Sequence, residues 1–147
     1  MENNFEPLKL ENQLCFPLYA ASRELVKLYR PYLDEHNLTY TQYITMMVLW
    51  EENRCSVKEL GAKLYLDSGT LTPVLKSLEQ KGLLSRFRSE SDERVLIAKL
   101  TEKGKELKNR VEDIPVKIGC MNLLSPEEGA ALYTLLYALL GKIKDNN

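Results

Sequence analysis

Three cysteines and one histidine limit the chemistry open to this chain. Cys15, Cys55 and Cys120 stand far apart with no C-x-x-C spacing, and His36 is alone. An odd number of scattered thiols gives neither a disulfide framework nor a zinc site. One histidine supplies no catalytic triad and no His-based metal centre. The expectation is a chain without metal or cofactor, in which thiol chemistry is the chemistry to weigh. A cysteine reacts as its thiolate, which helix N-termini and hydrogen-bond donors favour. Cys15 heads a stripe at helical spacing, Cys15, Tyr19, Ser22, Val26 and Tyr29, whose tyrosines can donate hydrogen bonds to sulfur. Pro17 costs nothing in a first helical turn, and a regular helix starting there puts Cys15 at its positive end. Fourteen residues separate Cys15 from Tyr29, about 21 Å along a helix, so the two cannot meet within one chain. They can meet across a two-fold axis near the midpoint Ser22, where a small residue permits close approach. Cys55, just ahead of a helix start, reads as structural.

The remaining composition bounds the class. At 147 residues, 44% hydrophobic and 28% charged, the chain reads as one globular domain. No run of about 18 apolar residues exists to span a membrane. The segment 1–9 is polar and acidic, without the apolar centre of a signal peptide, so a cytoplasmic location is expected. The net charge of −1 hides a segregation. Residues 1–53 carry −4 and residues 89–147 carry −1, whereas residues 54–88 hold 7 basic and 3 acidic side chains, for +4. Only this middle third has the sign that a phosphate backbone attracts.

The elements that position these groups follow from periodicity and caps. A long helix is expected from about Glu11 to His36, with Leu14, Leu18, Ala21, Leu25, Leu28 and Tyr32 on its apolar side. Asn37 and Thr39 break it, and Thr39 with Gln42 forms a capping box for a second helix ending near Glu52, with Tyr43, Met46, Met47 and Trp50 inward. Ser56 and Glu59 form another box ahead of a short helix facing Val57, Leu60 and Leu64 inward. Asp67 or Ser68 caps the next, which turns Leu71, Val74, Leu75 and Leu78 inward and leaves Gly69, Thr72, Pro73 and Lys76 outside; Gly82 closes it. Two short helices about a tight turn spell helix-turn-helix. Leu83–Ser89 and Val95–Leu100 then read as strands around a polar hairpin loop, Glu90–Arg94, which is a wing. Leu100, Gly104, Leu107, Val111, Ile114, Ile118 and Met121 continue through a helix kinked by Pro115. Ser125-Pro126-Glu127-Glu128 starts a last helix. Its Leu132, Leu135, Leu136, Leu139, Leu140 and Ile143 are too many for one face of a monomer and suggest a shared dimer core. The reading is a mainly α winged helix-turn-helix with a small β-hairpin. It forms one domain over 1–147, with the winged part at about 54–100 and dimerisation helices at about 10–36 and 101–145.

The run Leu64-Tyr65-Leu66-Asp67-Ser68-Gly69-Thr70-Leu71-Thr72-Pro73, followed by Asp92-Glu93-Arg94, resembles the MarR family of winged-helix repressors. Leu10-Glu11-Asn12-Gln13-Leu14-Cys15-Phe16 and Thr39-Tyr40-Thr41-Gln42-Tyr43 resemble its organic hydroperoxide resistance regulators, and the resemblance covers nearly the whole chain. It implies a homodimer joined through the terminal helices, with recognition helices in successive major grooves of an inverted-repeat operator and wings in the minor groove. It makes Asp67, Ser68, Gly69, Thr70, Thr72, Pro73 and Lys76 the recognition-helix contacts, Arg94 the minor-groove arginine braced by Asp92, and Arg86 and Arg88 phosphate contacts. Ser77 departs from the pattern, since relatives often carry a basic residue there. Around the sensor Cys15 it places Phe16 and Tyr19, with Tyr29 and Tyr40 of the partner hydrogen-bonding the sulfur. Pro17 is another departure, where relatives more often carry an ordinary helix former. Cys120 matches the resolving thiol of the two-cysteine branch.

The mechanism so implied is that of a redox sensor and not an enzyme. The reduced dimer holds double-stranded operator DNA, an organic hydroperoxide converts Cys15 to sulfenic acid, and condensation with Cys120 of the partner or with a small thiol releases the DNA. One rival is the same fold released by a small aromatic ligand bound between domains. Another, of a different class, is a thiol peroxidase, which lacks an activating arginine near Cys15; the nearest, Arg23, is eight residues on.

Overall fold

The computed structural model describes residues 6–146, which gather into two compact units, one ending at Ile114 and one beginning at Pro115. The first unit holds α1 (Cys15–Asp34), α2 (Tyr40–Glu52), β1 (Arg54–Ser56), α3 (Val57–Leu64), α4 (Ser68–Gln80), β2 (Leu84–Arg88), β3 (Leu96–Leu100) and α5 (Glu102–Val111). At the boundary comes α6 (Ile114–Gly119), and the second unit continues to α7 (Pro126–Asp145). No helix among the described residues is long and apolar enough to cross a membrane.

The capping residues act where the sequence places them. Thr39 and Gln42, Ser56 and Glu59, and Ser125 and Glu128 each close both hydrogen bonds of a capping box. Asp67, not Ser68, is the N-cap of α4, its Oδ1 accepting from the Thr70 N–H at 2.7 Å. Asn37 (φ 55°) ends α1 in the left-handed conformation, and Leu38 N–H returns to the Leu33 carbonyl. Gly82 (φ 74°) does the same for α4, with Leu83 N–H on the Leu78 carbonyl. The wing strands pair in the register Leu84 to Leu100 through Arg88 to Leu96.

Several expectations need correction. The first long helix starts at Cys15, not Glu11; Leu10–Asn12 form a separate 3-10 turn, and Gln13 is extended. Pro17, having no N–H to donate, sits in the first turn of α1, where that donor has no acceptor anyway. A third strand, β1, pairs antiparallel with β3 on the side away from β2, Cys55 opposite Ala98. Rather than one kinked helix around Pro115 there are two, because the Pro115 ring cannot lie against the Val111 carbonyl, and the chain breaks at Glu112–Asp113. Met47 and Trp50 are only half-buried, while Thr45 and Leu49 are sealed.

The core of the first unit runs from Leu33 to Ile114 through Tyr43, Met46, Leu49, Leu60, Leu71, Leu75, Leu78, Leu84, Ala98, Leu107 and Val111. The apolar side of α1 is left outside it: Leu14, at 82% exposure, with Leu18 and Leu25, is in contact with solvent, and only Leu33 of that helix is buried. In α7 no residue is buried, and Leu132, Leu135, Leu139 and Ile143 are all exposed.

Where α5 begins, Thr101 accepts from Gly104 N–H at 3.0 Å and donates its hydroxyl to the Gly82 carbonyl at 2.7 Å. Trp50 Nε1 donates to the Gly104 carbonyl at 2.9 Å. A Cβ at Gly104 would collide with the Leu83 carbonyl oxygen and lie 2.8 Å from Leu100 Cδ1. Backbone cannot yield as a side-chain end can. Gly104→Ala is therefore expected to destabilise the protein by about 1–3 kcal/mol, read as a lower urea midpoint, whereas Gly141→Ala, with open space around it, leaves the midpoint unchanged or higher.

Candidate nucleic-acid interface and thiol site

The outer side of α4 presents Ser68, Gly69, Thr70, Thr72, Pro73 and Lys76, all exposed. Asp67 is committed to the cap, which holds its carboxyl below the usual carboxylate range through the Thr70 N–H. Thr72 Oγ1 donates to the Ser68 carbonyl at 2.6 Å. Short hydroxyls and free amides at a helix N-terminus suit phosphate and base edges alike.

In the wing, Ser89 N–H bonds the Val95 carbonyl and Val95 N–H bonds the Asp92 carbonyl, at 2.8 and 2.9 Å, closing the loop. Asp92 Oδ1 accepts from the backbone N–H and Nε of Arg94, at 3.0 and 3.1 Å, while Arg94 Nη2 reaches Oδ2 at 3.3 Å. That contact holds the Asp92 carboxyl down. The Arg94 side chain is 91% exposed. Two of its five donors face Asp92.

Arg86 is placed otherwise than expected. Its Nε and Nη2 grip Glu79 at the end of α4, at 3.2 and 2.9 Å, and its N–H bonds the same carboxylate at 3.0 Å. The Arg86 side chain is only 21% exposed and clamps wing to helix. Arg88, two residues on, is exposed.

Cys15 is the first residue of α1 and is exposed, beside Phe16 and an open hollow of about 550 Å³ lined by Lys9, Leu10, Glu11 and Phe16. Tyr19, one turn on, lies under the Arg23 guanidinium, 5.3 Å from ring centroid to Cζ. At the other end of α1, Tyr29 meets Tyr40 edge-on at 5.0 Å, and Tyr43 completes a trio at 6.1 and 6.4 Å. Trp50 extends this cluster from Tyr43, at 6.3 Å. The structure thus joins Tyr29 to Tyr40 within one chain, with Cys15 at the far end of the same helix. The sequence places Trp50 on the inward side of α2 and Tyr43 both there and in the Thr39–Tyr43 motif; their spacing from Tyr40, three and ten residues, is the available signal for the cluster.

The other thiols differ. Cys55 is half-buried on β1, and burial, then the charges of Glu59 and Glu52, push its thiol up against the opposing pull of Lys63. Cys120 lies exposed in the turn after α6, where its N–H bonds the Val116 carbonyl at 2.9 Å. Among the described residues no group of three His, Cys, Asp or Glu side chains could hold a metal ion.

Burial pushes the Tyr43 phenol up to about 12, with Tyr29 and Tyr40 adding to the shift. Because the folded value lies above the ordinary ~10, this stabilisation is complete below pH ~10 and is lost as pH rises towards 12. Alkaline unfolding followed by circular dichroism is expected to show that loss, and Tyr43→Phe to remove it.

Comparison with known proteins agrees with this geometry. Residues 27–111 match the family model described as transcriptional regulator SarA/Rot. The organic hydroperoxide resistance transcriptional regulator of Bacillus subtilis (strain 168) is 51% identical over all 147 residues and the whole of both chains. The solved structure of reduced AbfR bound to DNA, a protein of Staphylococcus epidermidis, is 37% identical, with TM-score 0.76 over 91% of this chain and 94% of that one. Disulfide-formed AbfR aligns at TM-score 0.66 over 89% and 92%. A mutant MarR of E. coli complexed with operator DNA is 26% identical, with TM-score 0.73 over 86% and 93%. The recognition helix, the wing and these likenesses lead to one assignment: the chain belongs to the MarR-type winged helix-turn-helix transcriptional regulators, in their organic hydroperoxide resistance branch.

Proposed function

We propose that this regulator is a cytoplasmic homodimeric repressor that holds an inverted-repeat operator when reduced and lets go when an organic hydroperoxide oxidises Cys15. The observation that carries the reading is the separation on α1. An exposed thiol stands at the helix start, while the Tyr29–Tyr40 pair stands at the helix end of the same chain. An antiparallel α1 from a second copy brings the partner's Tyr29 and Tyr40 to each sulfur, and the uncovered leucines of α1 and α7 supply the apolar surface such a dimer buries. AbfR, crystallised reduced on DNA and also in a disulfide form, supports a thiol-controlled version of the fold.

The Cys15 thiolate attacks the distal peroxide oxygen. The O–O bond breaks, the sulfur is oxidised to sulfenic acid, and the alkoxide leaves and takes a proton to become the alcohol. Cys120 of the partner then attacks that sulfur; an S–S bond forms and water departs. Joining the segments changes the spacing of the two recognition helices. Asp67 serves as cap; Ser68, Gly69, Thr70, Thr72, Pro73 and Lys76 meet the major groove; Arg94, braced by Asp92, enters the minor groove, and Arg88 meets phosphate. The protein is consumed stoichiometrically and does not turn over.

Gel shifts on the promoter upstream of its own coding sequence, with and without cumene hydroperoxide, test this. Cys15→Ser is expected to bind as tightly as the parent and to stay bound at doses that release it; release at the same dose moves sensing to a ligand pocket. With one equivalent of oxidant, a non-reducing gel should show a dimer band that is lost in Cys120→Ser and kept in Cys55→Ser; a monomer bearing a small thiol means the one-cysteine route. Arg94→Ala should cost ~1–3 kcal/mol of operator affinity with the fold intact, and unchanged affinity removes the wing from the interface.

A further inference from the structure

Gln42, the third residue of α2, is only 6% exposed, yet it is polar. Its Oε1 accepts from Thr39 N–H at 3.1 Å and from the Lys81 ammonium at 2.8 Å, and its Nε2 donates to Ser77 Oγ at 3.0 Å. Lys81 Nζ also donates to the Asn37 carbonyl, and Lys103 Nζ to the Lys81 carbonyl at 2.8 Å. One buried amide therefore ties the start of α2 to the last turn of the recognition helix and the residue after it. The acceptors around the Lys81 ammonium are neutral, and burial pulls its pKa down.

Ser77 directly follows the exposed Lys76 and is itself half-buried. At 3.6 residues per turn it lies about a quarter-turn round α4 from the middle of the Gly69, Thr72, Pro73 and Lys76 face, and its hydroxyl is engaged at the back. The buried leucines Leu71, Leu75 and Leu78 hold α4 down, but apolar contact has no direction. A roll of about 20° carries an atom on the outside of a helix 10–12 Å across through about 2 Å, enough to break a base contact. Directional bonds are suited to trim the roll that apolar packing leaves.

We infer that Gln42 is a positioning residue for operator binding, which through Ser77 and Lys81 sets the rotation of the recognition helix, and that Ser77 itself does not contact DNA. The inference rests on the repressor reading above. It accounts for a serine at position 77: a cation there would lose the tie to Gln42.

Fluorescence anisotropy of the reduced full-length protein on its own promoter duplex, across a salt series, tests it. Lys76→Ala, a face residue, should lose affinity and lower the salt slope by about one. Gln42→Leu and Ser77→Ala should lose affinity about three- to tenfold with the slope unchanged. Gln42→Glu should restore binding, since a carboxylate accepts from Thr39 N–H, the Ser77 hydroxyl and Lys81. Ser77→Arg should weaken binding. Tighter binding with a steeper slope in Ser77→Arg places Ser77 on the DNA and overturns the inference, as does parental affinity in Gln42→Leu or a Gln42→Glu protein no better than it. If Gln42→Leu loses its helical circular dichroism, the Ser77 variants decide alone. A parent that does not bind overturns the repressor reading, and this one with it.

Discussion

Leu71, Leu75 and Leu78, each 0–1% exposed, fasten one side of the recognition helix to the first unit, and the other groups of the interface are placed by that burial. A fully buried leucine side chain contributes on the order of 1.5–3 kcal/mol, whereas a neutral hydrogen bond contributes about 1. Apolar burial therefore decides that α4 docks and which side faces out, and the smaller directional bonds trim its roll. Once the leucines face inward, the helical repeat obliges Gly69, Thr72, Pro73 and Lys76 to face outward. The close approach of Gly104 to the Leu83 backbone then holds α5 against the segment that leaves α4 for the wing. A side chain there would push the two apart.

Charge in this region serves two purposes that a count does not separate. Of the basic side chains in residues 54–88, Arg86 is spent on Glu79, Lys63 on Glu52 and Lys81 on backbone and amide oxygens. Arg54 lies 5.9 Å from the Phe87 ring centroid. Lys76 on the recognition helix and Arg88, Arg94 and Lys99 on the wing are exposed, as is Lys58 on α3. The Arg86–Glu79 pair cancels within the +4, so only Lys63, paired with Glu52 outside the segment, and the partly buried Lys81 lessen the outward field. Asp92 shows the reverse: an acid on the exposed wing holds an arginine in place.

Local signals were legible in the residues and non-local ones were not. The Thr39 and Ser56 capping boxes, the Ser125 start and the Gly82 stop depend on side chains within about four positions of one another and lie where the sequence put them, and of the two candidates for the α4 cap the structure takes Asp67. The wing was legible because its strands flank a polar loop. β1 was missed because three residues carry no periodicity; Arg54–Ser56 becomes a strand only when β3 lies beside it. The start of α1 was misjudged by four residues because the leucine pattern runs past the point where Gln13 turns extended. For the candidate site, the sequence supplied the residues but not their pairings. Arg86 reads as one more wing cation until Glu79 is seen beside it, and Gln42 reads as half of a capping box, although its other bonds reach Ser77 and Lys81.

The ends of α7 have a bearing on how the protein assembles. A capping box, a proline at its first position, acids in the first turn and lysines in the last all favour helix without help from any neighbour. Most short helices in water are marginal, because nucleation costs several dihedral angles for one bond. Here the terminal turns are satisfied locally, so a 20-residue segment with no buried side chain can hold helical structure before anything covers its leucines. A surface ordered in advance gives up less entropy when it is covered. For the dimer proposed above, encounter and not folding would then limit assembly.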